Sequence, residues 1–183
     1  MAHKTEEAIA NSLKKLLQKK PLNKITISDI ADDCGINRMT FYYHFKDIYD
    51  LVEWICNEIA EKSLKGSINS KAWTQGLSNI LYAVLEERVF FSAIYHSLEH
   101  TTMEKYIYKV FNVCILGTSK EFVGDRNISE EDLKFIADFY TYAFTGILMQ
   151  WIGTGFKKTP DELVEKISTI MNGTIKRSVD LFV

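Results

Sequence analysis

The stretch from Thr26 to Phe45, TISDIADDCGINRMTFYYHF, decides how the rest of the chain is read. Thr26 can accept a backbone hydrogen bond as an N-cap while Asp29, three residues on, returns one. This pair opens a short helix that turns Ile27, Ile30 and Ala31 inward. Gly35 supplies the left-handed conformation that a sharp helix stop requires. Ile36 plugs the corner and Asn37 caps a second helix, on which Phe41 and Phe45 lie four apart and share one face. The opposite face offers Arg38, Met39, Thr40 and Tyr42. Two short helices crossing at a small-residue turn, the second apolar on one side and rich in donors on the other, make a helix-turn-helix that reads DNA.

Upstream of this stretch, Ile9, Leu13, Leu16 and Leu17 recur at helical spacing and predict a first helix that ends in Lys19-Lys20 before Pro21. Downstream, Asp47 caps a long helix whose Ile48, Leu51, Val52, Ile55 and Ile59 form one stripe. It runs to about Leu64, and Gly66-Ser67 marks a boundary. The expected organisation is an N-terminal three-helix unit over 1–65, with the linking helix 47–64 as its lever, and a second helical domain over 66–183. In the second domain, helices are predicted over 71–87, 89–97, 101–120, 130–153 and 160–182. Ser129 with Asp132 resembles another capping box, and Pro160 opens the last helix. No alternating strand pattern occurs, so the fold class is all-α with about nine helices.

A chain of 183 residues with 46% hydrophobic content can bury a sizeable core. Its net charge of −2 carries no general attraction to nucleic acid. The first fifty residues hold eight Lys and Arg against seven acids, so any DNA contact must come from a local patch. Three cysteines, Cys34, Cys56 and Cys114, are odd in number and form no CxxC pair, which fits a reducing compartment. With a polar N-terminus and no long apolar span, the expectation is a soluble cytoplasmic protein that meets no membrane. His96 and His100 stand four apart, but Ser97 breaks the HExxH pattern. With no nucleophile elbow, phosphate-binding glycine loop or paired carboxylates, neither a metal, a cofactor nor a catalytic residue is expected.

The run Ile30-Ala31, Gly35-Ile36 and Thr40-Phe41-Tyr42-Tyr43-His44-Phe45 resembles the DNA-binding signature of the TetR family of bacterial transcriptional regulators. One position departs from it: where the family commonly places a lysine three residues after this Phe, the chain has Ile48, with Lys46 as the nearest cation. The resemblance implies a sequence-specific DNA-binding regulator, acting as a homodimer and as a ligand-responsive repressor. Its expected DNA contacts are Thr26, Ser28, Arg38, Met39, Thr40 and Tyr42, with Tyr43, His44 and Lys46 on the phosphate backbone. The last two helices carry more apolar surface than one core consumes, and the family dimerises there. Phe144, Ile147, Leu148, Trp151, Ile167, Ile170, Met171 and Ile175 are the expected interface. A small-molecule effector would lie among the middle helices, against Trp73, Tyr82, Phe91, Tyr95 and Tyr106. The alternative is a partner-binding co-regulator of the same fold with weak or no operator binding; an all-α enzyme has only His96 and His100 in its favour.

Overall fold

Helix-forming signals placed between strong stops dictate the architecture, which a computed structural model describes for residues 2–65, 71–98 and 100–183, without the side chains of Ala2 and His100. Ten α-helices and one 3-10 turn occur among these residues: α1 (Ala2–Leu17), the 3-10 turn (Leu22–Lys24), α2 (Ile27–Cys34), α3 (Arg38–His44), α4 (Ile48–Leu64), α5 (Trp73–Glu86), α6 (Arg88–Ser97), α7 (His100–Val123), α8 (Glu130–Gly153), α9 (Pro160–Met171) and α10 (Thr174–Asp180). The chain is all-α, with no strand among the described residues. The boundary expected at Gly66-Ser67 lies outside them.

Each of α2, α3 and α4 starts at a side chain that accepts one of the helix's orphan N–H groups. Thr26 forms a full capping box with Asp29, Asn37 accepts from the Thr40 N–H, and Asp47 accepts from the Asp50 N–H. Gly35 ends α2 at φ 70°, where its N–H bonds back to Ala31 and Asp32. Ser129 caps α8 through the Asp132 N–H without the reciprocal backbone bond, whereas α9, like α2, has the complete box, between Thr159 and Glu162.

A continuous hydrophobic core runs from Ile9 and Leu13 of α1 through Phe41, Phe45, Leu51 and Ile55 to Phe144, Leu148 and Val179. Helix α4 carries it from one end to the other. Phe45 meets Phe41 and Trp54 with ring centroids 5.8 Å apart in both cases, and α4 then packs on α5 and α7. The α7–α8 pair is the most extensive helix contact, and Phe111 and Phe144 stack across it at 5.4 Å. Burying rings of this size stabilises the fold by roughly 2–3 kcal/mol each.

Two expectations change here. The last helix, predicted as continuous over 160–182, is broken at Asn172-Gly173, where Gly173 adopts φ 73°. Past the break α10 folds back onto α7 and α8, buries Ile175 and Val179, and is held by Tyr140 Oη to Ser178 Oγ (2.7 Å) and Arg126 to Asp180 (2.7 Å). The expected dimer residues are corrected as well. Phe144, Leu148, Trp151, Ile167 and Ile175 are all buried within the chain itself, because α8 packs on α6, α7 and α10, the helix that carries Ile175, and α9 packs on α5. Of that set, Ile170 is 73% exposed, while Ile147 and Met171 are partly so.

Candidate nucleic-acid interface

The capped turn between α2 and α3 fixes which side chains face outward. With Phe41 fully buried against α1 and α2, the far side of α3 presents Arg38, Met39 (74% exposed), Tyr42 and Tyr43 (83% exposed), followed by exposed Lys46. A guanidinium and two phenols on a helix seven residues long, with an ammonium just past its end, are enough donors to meet base edges and phosphates in a major groove. Thr40 is partly buried, and its hydroxyl donates to Asn37 Oδ1 (3.1 Å). Thr26 is exposed, but its hydroxyl is engaged with Asp29 (2.7 Å); Ser28 is partly buried. Lys20 sits 2.8 Å from Asp29. Its ammonium, with the Thr26 hydroxyl and N–H, holds the Asp29 carboxyl down at about 2, so the α2 cap stays ionised across the physiological range.

His44 is the residue that the structure moves out of the expected phosphate contacts. Its side chain is only 8% exposed, its Nδ1 lies 3.4 Å from Glu6 Oε1 on α1, and Tyr43 covers it edge-on with centroids 5.1 Å apart. It fastens the end of α3 to α1. Glu6 also faces His3, which in turn lies 3.8 Å from Glu58 of α4, so polar side chains link three helices of the head. Two further exposed groups lie outside the expected contacts: Tyr49, half exposed on the first turn of α4, and Lys24, the last residue of the 3-10 turn.

The five aromatics expected around an effector are not brought together. Phe91 and Tyr106 line one apolar cavity with Cys56, Ile59, Ile94 and Met103, of about 40 Å³. Trp73 lines another of about 40 Å³ between α5, α7 and α10. Each of these two has room for little more than one water molecule. Trp73 also borders an open groove of about 550 Å³ with Phe122, Thr169 and Lys176, away from the other four aromatics. Tyr82 is instead exposed and hydrogen-bonded to Asp161, which pushes its hydroxyl pKa up, and Tyr95 packs against the backbone of Gly153. Tyr106 Oη donates to the Tyr49 carbonyl (3.4 Å), linking the first cavity to the start of α4; burial, then Glu53, pushes its pKa up to about 12. Burial likewise pushes the Cys56 thiol up to about 12, so it stays protonated and unreactive. His96 is exposed, while the side chain of its expected companion His100 lies outside the described residues.

Comparison with known proteins accounts for both halves of this architecture. Residues 9–55 match the family described as bacterial regulatory proteins, tetR family, and residues 71–173 match the transcriptional regulator C-terminal region. The chain belongs to the TetR family. It is similar to the HTH-type dhaKLM operon transcriptional activator DhaS of Lactococcus lactis subsp. lactis (strain IL1403), 23% identical over 94% of this chain and 91% of that protein. Among solved structures, the dihydroxyacetone kinase operon activator DhaS superposes with a TM-score of 0.71 at 21% identity, covering 97% of both chains. The TetR family repressor AlkX from Dietzia sp. strain DQ12-45-1b does so with a TM-score of 0.57 at 16% identity, over 95% of this chain and 96% of that one. These structural likenesses concern the fold. Membership of the TetR family makes the chain a DNA-binding transcriptional regulator. Among the described residues, no helix is long and apolar enough to cross a membrane.

Proposed function

We propose that this TetR-family regulator binds operator DNA as a homodimer, placing one α3 in each of two successive major grooves, and that a small molecule entering its helical domain alters that binding. The observation that carries the operator reading is the outward row Arg38, Met39, Tyr42, Tyr43 and Lys46, none of which the chain's own core consumes. In this reading Arg38, at the N-terminal end of α3, reaches a base edge, and Tyr43 and Lys46 reach phosphates.

Dimerisation in this reading uses a surface that only partly overlaps the one expected. Phe135 (67% exposed), Phe139 (63% exposed) and Tyr142 line the outer face of α8, and the expected Ile170 is exposed on α9 near Ile147 and Gln150. Aromatics exposed in such a row are the mark of a protein contact. An effector would have to part α4, α6 and α7 to enlarge the cavity at Phe91 and Tyr106. Tyr106 would transmit that change to α4 through Tyr49, and a ligand shifts operator affinity only if it prefers one arrangement of the two heads.

As a repressor, the dimer would occupy its operator until the effector arrives. Activation is the second reading, and it is favoured by the likeness over nearly the whole chain to a protein named an operon activator. Fluorescence anisotropy on DNA flanking the protein's own gene tests operator binding, and a reporter driven by the same DNA tests the sign. Affinity no greater than for unrelated duplex would overturn the operator reading.

A further inference from the structure

The break at Asn172-Gly173 does more than end α9. Because α10 folds back onto α7, a groove of about 550 Å³ opens between the start of α5, the C-terminal half of α7 and the two sides of the break. The Thr174 hydroxyl donates to the Met171 carbonyl (3.0 Å) and pins the turn at its edge. That volume lies within the range of small-molecule sites, whereas the two cavities in the core of the helical domain fall far below it.

The lining is aromatic on one side and neutral but polar elsewhere. Trp73 stands at the start of α5, and Phe122, Met171 and Ile175 supply further apolar wall. Thr118 is 5% exposed and lines both this groove and the core cavity behind it. Neither its hydroxyl nor the Trp73 indole N–H has a hydrogen-bond partner among the described residues, and neither is sealed from the groove. A hydroxyl left unpaired on so deeply buried a residue is uncommon in a folded chain. Nearby, the Ser168 and Thr169 hydroxyls donate to the Glu165 carbonyl (3.0 and 2.8 Å), so their oxygens still accept, and the Asn172 amide is exposed. Among the described residues no acid lines the groove, and its one cation, Lys176, is paired with Asp180 at 2.7 Å.

An aromatic face beside neutral donors and acceptors suits a ligand with an apolar ring face and hydroxyls around its edge. We propose that this groove binds an uncharged carbohydrate, with the C–H face of one sugar ring stacked on Trp73 and its hydroxyls bonded to Thr118, Asn172 and the Trp73 N–H. A cationic ligand would meet no carboxylate there, and an anionic one would have to draw Lys176 away from Asp180. A wholly apolar ligand would cover the Thr118 hydroxyl without pairing it, which costs affinity.

The groove is separate from the cavity at Phe91 and Tyr106, so sugar binding here does not depend on the effector reading; any effect on operator affinity does. The physical route for such an effect is short. Trp73, Thr118 and Ile175 also wall the inner cavity, where they meet Leu64 at the end of α4.

Saturation-transfer NMR on the full chain, with glucose, galactose, mannose, maltose and sucrose each titrated to about 50 mM, tests the site. At least one of these should bind saturably. Thr118→Val, which nearly keeps the shape and removes the hydroxyl, should weaken that binding about five- to tenfold. Trp73→Ala should abolish it, with circular dichroism as the check on folding; should that variant not fold, Thr118→Val decides the matter by itself. Saturable binding by none of these sugars would overturn the carbohydrate assignment. Binding that the folded variants leave unchanged would place the sugar elsewhere and overturn the site, and tighter binding of gluconate than of glucose would overturn the neutral character of the ligand. Anisotropy on DNA flanking the protein's own gene, with and without the bound sugar, is read separately: an unchanged operator affinity counts against this sugar as an effector, not against the site.

Discussion

Exchanging His44 and Lys46 for alanine separates a residue that holds α3 from one that touches DNA, although the two stand two positions apart. The His44 side chain is 8% exposed, faces Glu6 at 3.4 Å and lies beneath Tyr43. His44→Ala therefore removes packing and a polar partner from the α1–α3 junction, at a cost of about 1–2 kcal/mol. In a chain of this size, that lowers Tm by roughly 2–8 °C. Operator affinity should fall several-fold because the Tyr43 ring and the end of α3 lose their support. The number of phosphates neutralised should stay the same. Lys46→Ala should do the reverse: Tm is unchanged, and the slope of log K against log salt becomes shallower by about 0.9. Between about 50 and about 200 mM salt, that slope change amounts to roughly a 3.5-fold difference in how much affinity is lost. Anisotropy titrations at four salt concentrations, with thermal melts of the same preparations, measure both quantities. A shallower slope for His44→Ala at an unchanged Tm would show that the imidazole reaches a phosphate, and the inward placement would be refuted.

Arg38→Ala should cost roughly 1–3 kcal/mol on the correct operator and relax preference at one base pair; equal weakening on every duplex would make Arg38 a phosphate contact instead. At the α7–α8 contact, Asp138 accepts from Tyr108 Oη, from Asn112 Nδ2 (3.2 Å) and from Lys134 Nζ (2.5 Å). Desolvation pushes its pKa up, but Lys134 and Tyr108 outweigh that and leave the carboxyl below its usual value. Its contribution is thus complete above the unfolded carboxylate pKa of about 3.9 and is lost as pH falls through the lower folded value. Asp138→Ala should destabilise by about 1–2 kcal/mol at neutral pH and flatten the acid limb of a denaturation-against-pH curve; a variant that tracks wild type at every pH would show that the network contributes nothing. At Gly153, an added Cβ would lie 2.5 Å from Tyr95 Cζ. Gly153→Ala should therefore lower Tm despite its better helix propensity, and Tyr95→Ala in the same chain should absorb most of the penalty; strict additivity in that double-mutant cycle would deny the contact.

Local chemistry was enough to write the reading head. Thr26, Gly35, Asn37 and Asp47 each act on backbone groups within a few residues, so their caps and stops follow from neighbours in the chain. Phe41 and Phe45 leave one face of α3 for the core, and Arg38, Met39, Tyr42 and Tyr43 then fall on the other by helical period alone. His44 lies at the margin between the two faces, and only the arrival of Glu6 from 38 residues earlier decided that it turns inward. The second half of the chain was less legible for a related reason. Helix α8 is apolar around most of its circumference, so periodicity could not say whether Phe144, Leu148 and Trp151 or Phe135, Phe139 and Tyr142 face the core. Packing against α6, α7 and α10 made that choice, and the turn at Gly173 placed α10 where it could take part. The caps and stops of α2, α3 and α4 and the outward face of α3 were legible in the chain alone, because they depend on contacts a few residues apart, whereas the break at Gly173 was not. Packing between distant helices chose which side of α8 is left open and split the expected effector aromatics between separate sites, because both depend on helices that meet only after the chain has folded back on itself.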